Sequence, residues 1–144
     1  MMPRTLALDY GSKRIGVAVS DRLGLAAHGV ATITYHSTAE AFAEIFRYLQ
    51  EYEMEQILIG LPLDAEGKEG TSARKVRQFG VALEDFLKQK GLSLPIVWWD
   101  ESASTLEAET HLIEAADLSR KKRRKVVDKM AAVFILKSYM ESQC

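Results

Sequence analysis

Apolar residues come in short bursts along this chain, and their period switches between two and about 3.6. Leu6 and Leu8 alternate with Ala7 and Asp9, so Arg4 to Asp9 is predicted to be a strand. Gly11 supports a tight turn. A second β-prone run, Arg14 to Ser20 (RIGVAVS), follows too soon for a helical crossover, so the two runs should form an antiparallel hairpin. Ala26 to Tyr35 reads as a third strand. Phe42, Ile45, Phe46 and Leu49 have helical spacing within Thr38 to Tyr52, and Gln56 to Leu61 (QILIGL) reads as a short buried strand ending at Pro62.

Leu63 to Gly70 is a polar loop containing glycine, after which Thr71 or Ser72 can cap a helix. That helix carries Val76, Phe79, Leu83 and Leu87 on one face and stops near Gly91. Leu94 to Trp99 is the fifth strand. Ser104 and Glu107 fit a capping box before a helix from Thr105 to Ala116. Arg120 to Lys125 reads as a connection, and Val126 to Met140 as the last helix. The order βββαβαβαα implies an α/β fold with a central mixed five-stranded sheet and helices on both faces. A doubly wound dinucleotide fold is excluded, because Gly11 to Gly16 does not make GxGxxG and no helix fits before the second strand. Trp98 and Trp99 are adjacent in a strand, and a second packed layer of helices accounts for both.

The 144 residues suit one domain with one sizeable core. No long apolar stretch offers a membrane span, and MMPRTLALDYG lacks the apolar region of a signal peptide. The single cysteine, Cys144, excludes disulfide scaffolds and cysteine-based zinc sites. A cytoplasmic protein is the natural reading. Nineteen basic and 20 acidic residues leave a net charge of −1, which gives no global attraction for nucleic acid. The distribution is uneven, since RKKRRK at Arg120 to Lys125 holds six of the 19 positive charges.

Acidic residues stand at three places where apolar runs begin or end: Asp9, the pair Asp100 and Glu101, and Asp128. A carboxylate at the rim of a core is costly to desolvate without a partner. Converging carboxylates repel one another, and a divalent cation is the simplest partner. Asp9 shares a strand face with Ala7, away from Leu6 and Leu8. An aspartate ahead of a turn glycine also commonly caps local amides. Asp128 precedes Ala131 and Ala132 by three and four residues and shares their inward stripe with Ile135 and Tyr139. Its alternative reading is an acid favoured by the macrodipole near a helix start. Strand alternation lets only one of Asp100 and Glu101 join Asp9, and it does not choose between them. Oxygen ligands of this kind suit Mg²⁺ or Mn²⁺, and two such ions would activate water and stabilise a leaving oxygen. His28, His36 and His111 are widely dispersed, which argues against zinc.

Cations for phosphate are available nearby. Lys13 and Arg14 sit in the turn after Asp9, and Lys68 lies between Gly67 and Gly70 in a loop free to close over a substrate. Arg74 and Arg77 extend a track along the following helix. Lys121, Lys122, Arg123 and Arg124 run into the helix of Asp128, where they would offset repulsion between the acids and a polyanion. Such charged segments are also, by default, solvated surface.

The motifs DYGSKRIGVAVSD, ILIGLPLDAEGKEG, DESAST and VVDKMAAVFIL, in this order, resemble the YqgF/RuvX family. The resemblance covers essentially the whole chain. It implies an RNase H-like fold and a metal-dependent nuclease that trims the 5′ end of the 16S rRNA precursor, in a family also described as Holliday-junction-resolvase-like. Matched motif to motif, Asp9 falls on the family's first acid, Asp128 on its last, and the middle acid falls within Asp100–Glu101, with Glu101 favoured. The chain departs from the family at Ser102, where arginine is usual. A serine cannot clamp a phosphate bidentately, so Arg74, Arg77 or the basic run would have to substitute.

The leading expectation is therefore an endonuclease acting on precursor rRNA with Mg²⁺ or Mn²⁺. Its rivals are a resolvase of branched DNA, which needs two sites and hence a homodimer rather than a monomer, and an RNA-binding factor without catalysis. A small ATP-using enzyme also opens with an Asp-x-Gly hairpin, but it needs two such domains around the nucleotide.

Overall fold

The computed structural model describes residues 2–100 and 120–143. Three strands, β1 (Thr5–Tyr10), β2 (Arg14–Ser20) and β3 (Ala27–Thr34), form an antiparallel meander. Then come α1 (Thr38–Glu51), β4 (Gln56–Leu61), α2 (Thr71–Gln89), β5 (Ile96–Asp100) and a long helix, α3 (Arg120–Ser142). The sheet order is β3-β2-β1-β4-β5, with β4 parallel to both β1 and β5. β4 is buried along its whole length, as its unbroken apolar run requires in the parallel part of a sheet covered on both faces.

The two faces bury different sizes of side chain. Leu6, Leu8, Ile57 and Ile59 point to one face and pack with Phe42 and Ile45 of α1 and Phe79 and Leu83 of α2. Ala7, Ala18 and Leu58 point to the other and meet Ala132, Ile135, Leu136 and Tyr139 of α3. Small residues on both sides of this second interface bring α3 close to the strands. Truncating the fully buried Leu136 to alanine would cost roughly 2–5 kcal/mol. Trp98 and Trp99 divide between the faces: Trp98 packs against Gly80 of α2, and Trp99 lies edge-on to Tyr139 of α3.

The direction of α3 follows from its two ends. Tyr139 accepts a hydrogen bond from the buried Gln56 amide, which also donates to Thr5 Oγ1, so this part of α3 lies over the start of β1. Asp128 lies 11 residues earlier, about 16 Å back along the helix, over the opposite end.

Local signals differ from the expectations at several points. α1 is capped by Ser37, whose side chain accepts from the Glu40 amide. The N-cap of α2 is Gly70 rather than Thr71 or Ser72, and no side chain caps it. β5 begins at Ile96, two residues later than expected. The basic run Arg120–Lys125 is no connection. It forms the first turns of α3, as strong helix formers such as Lys and Arg allow. Asp128 therefore lies more than two turns inside the helix, too far from its start for the macrodipole to explain it. The expected helix Thr105–Ala116 lies outside the described residues.

Candidate active site at the end of the central strand

Asp9 is the penultimate residue of β1 and is half-buried. Strand alternation gives it the face of Thr5 and Ala7, which is the α3 face. Its partner across the hairpin is Gly16, and Gly16 pairs in turn with Thr32 of β3. Asp9, Gly16 and Thr32 thus form one row on the α3 face. All three positions point toward that helix because directly opposed residues share a face.

Helix α3 rests on this row through its backbone. A Cβ on Gly16 would lie 1.8 Å from the Asp128 carbonyl oxygen. Thr32 Oγ1 donates to the Lys125 carbonyl at 2.5 Å. A register shift in the β2–β3 pairing opposes Val17 and Ala18 to Ala31 and Gly29, which turns both Thr32 and Gly29 toward α3. A Cβ on Gly29 would in turn collide with the Lys129 side chain. Asp128 is held at the Asp9 end of β1 by these contacts.

Arg14, two residues before Gly16, takes the same face, and its Nε donates to Asp128 Oδ2 at 2.5 Å. The side chains are 31% and 21% exposed, so their attraction is screened less than that of an exposed pair, which is worth ~0–1 kcal/mol. Arg14 was expected to serve phosphate; the structure engages it with a carboxylate. Asp9, Arg14 and Asp128 share one rim of the sheet.

The other expected acids are placed differently. Asp100 ends β5, is exposed, and shares the strand parity of Trp98, which puts it on the α2 face. Glu101 and Ser102 lie outside the described residues. Among the described residues no group of three His, Cys, Asp or Glu side chains is arranged to hold a metal. Asp9 and Asp128 supply oxygen donors only, a set suited to a hard cation.

Lys13 is exposed in the β1–β2 turn. Two contacts from Tyr35 pin that turn: its hydroxyl donates to the Gly11 carbonyl at 2.5 Å, and its amide to the Lys13 carbonyl at 3.2 Å. Burial, with help from a hydrogen bond and repulsion involving Tyr10, pushes the Tyr35 phenol well above its ordinary range. Gly11 is needed here because a Cβ would lie 2.6 Å from the Arg14 carbonyl oxygen. Sequence reasoning missed Tyr35 and Thr32, which carry no motif. The glycine interior to RIGVAVS was the available signal for close backbone approach at Gly16.

The loop before α2 is internally bonded. Asp64 Oδ1 accepts from the amides of Glu66 and Lys68, each at 2.9 Å, and Gly67 adopts a φ of 77°. The Lys68 and Arg74 side chains are exposed. Arg77 is engaged: it pairs with Glu69 and lies 5.0 Å from the Trp98 ring centre. The hydrogen bond from Arg77 holds the Glu69 carboxyl below the usual glutamate range. Lys122 and Arg124 are exposed on α3, while the side chains of Lys121 and Arg123 lie outside the described residues. A surface groove of about 510 Å³ lies at the far end of β2, lined by residues such as Arg4, Asp21 and Glu53, and includes none of the expected site residues. No helix among the described residues is long and apolar enough to cross a membrane.

The model of the RuvX family, described as a Holliday junction resolvase, matches residues 3–142. The chain belongs to the RuvX family. Relatives named "Putative pre-16S rRNA nuclease" cover almost all of it. The one from Halothermothrix orenii is 46% identical over 140 residues, spanning 97% of this chain and 96% of the relative. The one from Geobacillus kaustophilus is 46% identical over 143 residues, spanning 97% and 99%. Among solved structures, Thermus thermophilus RuvC superposes with a TM-score of 0.57 at 13% identity, covering 97% of this chain and 95% of that one. The fowlpox virus Holliday junction resolvase gives 0.55 at 18% identity, covering 98% and 99%. These likenesses show that this RuvX-family chain has the RNase H-like fold, with the mixed five-stranded sheet expected from its sequence.

Proposed function

We propose that this chain is a metal-dependent endonuclease of the bacterial cytoplasm, acting as a single domain on the 5′ end of pre-16S rRNA. The observation that carries this reading is the approach of Asp128 to Asp9 over Gly16, in a chain whose relatives are named for that activity. Asp9, Asp128 and Glu101 would hold Mg²⁺ or Mn²⁺; Asp100 is left out of this set because it takes the α2 face of the sheet. An ion bound there supplies a water of lowered pKa and positive charge for the leaving oxygen.

The chain's own residues do the remaining work. The Asp9 backbone is fixed by its pairing with Gly16 in the hairpin, which sets the side of the sheet from which its carboxylate would act. The exposed Lys13 stands beside it to meet a backbone phosphate. Lys122 and Arg124, with Lys121 and Arg123, would track the strand leading to the acids along the first turns of α3. Lys68 and Arg74 would meet it from the α2 side, and Arg77 would contribute less because Glu69 already engages it.

The test is cleavage of a 5′-extended 16S precursor with Mn²⁺ by the wild type, Asp9→Asn and Asp128→Asn. Each variant should lose more than about 100-fold, since removing even an outer partner of a metal ligand costs about 10- to 100-fold. Undiminished cleavage by both folded variants would overturn the reading.

The family model's own description favours a second reading, cleavage of four-way DNA junctions. Symmetric cutting needs two sites. A stable homodimer that cuts junctions in preference to precursor RNA would select it, and a monomer that cuts the RNA would reject it.

A further inference from the structure

Arg14 and Asp128 are 114 residues apart in sequence and meet at 2.5 Å at the rim where the acids gather. The contact uses Nε, one of five N–H donors on the guanidinium. A cation on the other oxygen of the same carboxylate would stand within a few ångströms of this positive group. The pair is largely covered, so water would screen that repulsion poorly. Arg14 and a metal ion therefore compete for Asp128.

Arg14 has an alternative partner when nucleic acid is present. A phosphodiester matches the fork of a guanidinium and carries a full negative charge. With 31% of its side chain exposed and Lys13 exposed next to it in the turn, Arg14 is open to a backbone phosphate on the solvent side of the rim.

We propose that Arg14 is a positioning residue that couples metal binding to nucleic-acid binding: it holds Asp128 in the free protein and releases the carboxylate when a phosphate draws its guanidinium away. The inference rests on the nuclease reading and adds to it an order of assembly, with the cation bound tightly only beside its substrate. The exchange needs no movement of strand or helix, only a change of side-chain rotamer at Arg14. It also keeps Asp128 compensated at every stage, by guanidinium before the exchange and by cation after it.

Linkage makes the coupling reciprocal, so RNA must strengthen Mn²⁺ binding by the same factor as Mn²⁺ strengthens RNA binding. Mn²⁺ binding is measured by calorimetry on the full chain, with and without a short RNA hairpin shown by gel to stay intact through the titration. In the wild type, RNA should raise Mn²⁺ affinity by about tenfold, within the usual range for coupled sites. Arg14→Gln should bind Mn²⁺ about that much more tightly without RNA and gain little when RNA is added. Arg14→Lys keeps the positive charge without the fork, so it should still hold back Mn²⁺ in the absence of RNA and gain less from RNA than the wild type. A merely structural role for Arg14 predicts the opposite sign, weaker Mn²⁺ binding on its removal.

Wild-type affinity that ignores RNA, or Arg14→Gln binding Mn²⁺ no more tightly than the wild type, overturns the inference. The wild-type arm needs no variant to fold. If Mn²⁺ binding is lost in Asp9→Asn and Asp128→Asn yet indifferent to Arg14, only the coupling fails. If Mn²⁺ does not bind even with RNA present, or binds regardless of Asp9 and Asp128, the nuclease reading falls with it.

Discussion

Gly16 lies directly beneath the Asp128 carbonyl, close enough that a Cβ on residue 16 would stand 1.8 Å from that oxygen. Gly16 is also the cross-strand partner of Asp9. One missing methyl group thus lets the helix and the central strand bring their carboxylates to a common rim.

Replacing Gly16 with alanine should be among the most damaging small substitutions in the chain. The clash is with helix backbone, which cannot rotate aside, so overpacking should cost at least roughly 1–3 kcal/mol. Thermal denaturation should show a lowered melting temperature. Cleavage should fall further than stability, because relief of the clash moves Asp128 away from Asp9. A variant with wild-type melting and activity would show that α3 does not rest on β2 as described.

The loop before α2 should depend on one side chain. Asp64 accepts from two amides in its own turn through one oxygen, Oδ1, and alanine removes both hydrogen bonds. Hydrogen exchange at the Glu66 and Lys68 amides should accelerate in Asp64→Ala, while exchange in β1 and β4 stays slow. Unchanged exchange at those two amides would mean that the turn is held by its backbone alone.

Glu69 and Arg77 make stability depend on pH in a defined direction. The Glu69 carboxyl is held below its ordinary range by the hydrogen bond from Arg77, so the unfolded chain takes up that proton first as pH falls. The stabilisation is therefore complete at neutral pH and disappears as pH drops through the folded value. Melting temperatures of the wild type and Glu69→Gln should differ at pH 7 and converge as pH falls through and below the ordinary glutamate range. A gap that persists or widens in acid would contradict the pairing.

The first turns of α3 should set the salt dependence of nucleic-acid binding. Lys122 and Arg124 are exposed there. If each meets a phosphate, changing it to glutamine should flatten the plot of log affinity against log salt by about 0.7 for single strands or about 0.9 for a duplex. A slope unchanged in the double variant would place the strand elsewhere on the surface.

Much of this architecture is written in local pattern. The alternation in Arg4 to Asp9 and in RIGVAVS, separated by a turn with Gly11, already dictates a hairpin, and Gln56–Leu61 is found with the ends its apolar run suggests. The parity of Asp9 with Ala7, and the spacing of Asp128 to Ala131 and Ala132, also place both acids correctly on inward faces. These features depend on neighbours within one turn or one strand, where period alone sets direction. The basic run misled because charge without an apolar stripe looks like a loop, whereas Lys and Arg are good helix formers and extend a helix whose later turns are anchored by buried Ala132, Ile135 and Leu136. That Arg14 would face Asp128 rather than open solvent follows from strand register, from the shift that turns Thr32 toward α3, and from a glycine that admits helix backbone. Such meetings join groups 93 residues apart in the case of Thr32 and Lys125 and 114 apart in the case of Arg14 and Asp128, and short-range periodicity holds no information about which of them come within reach.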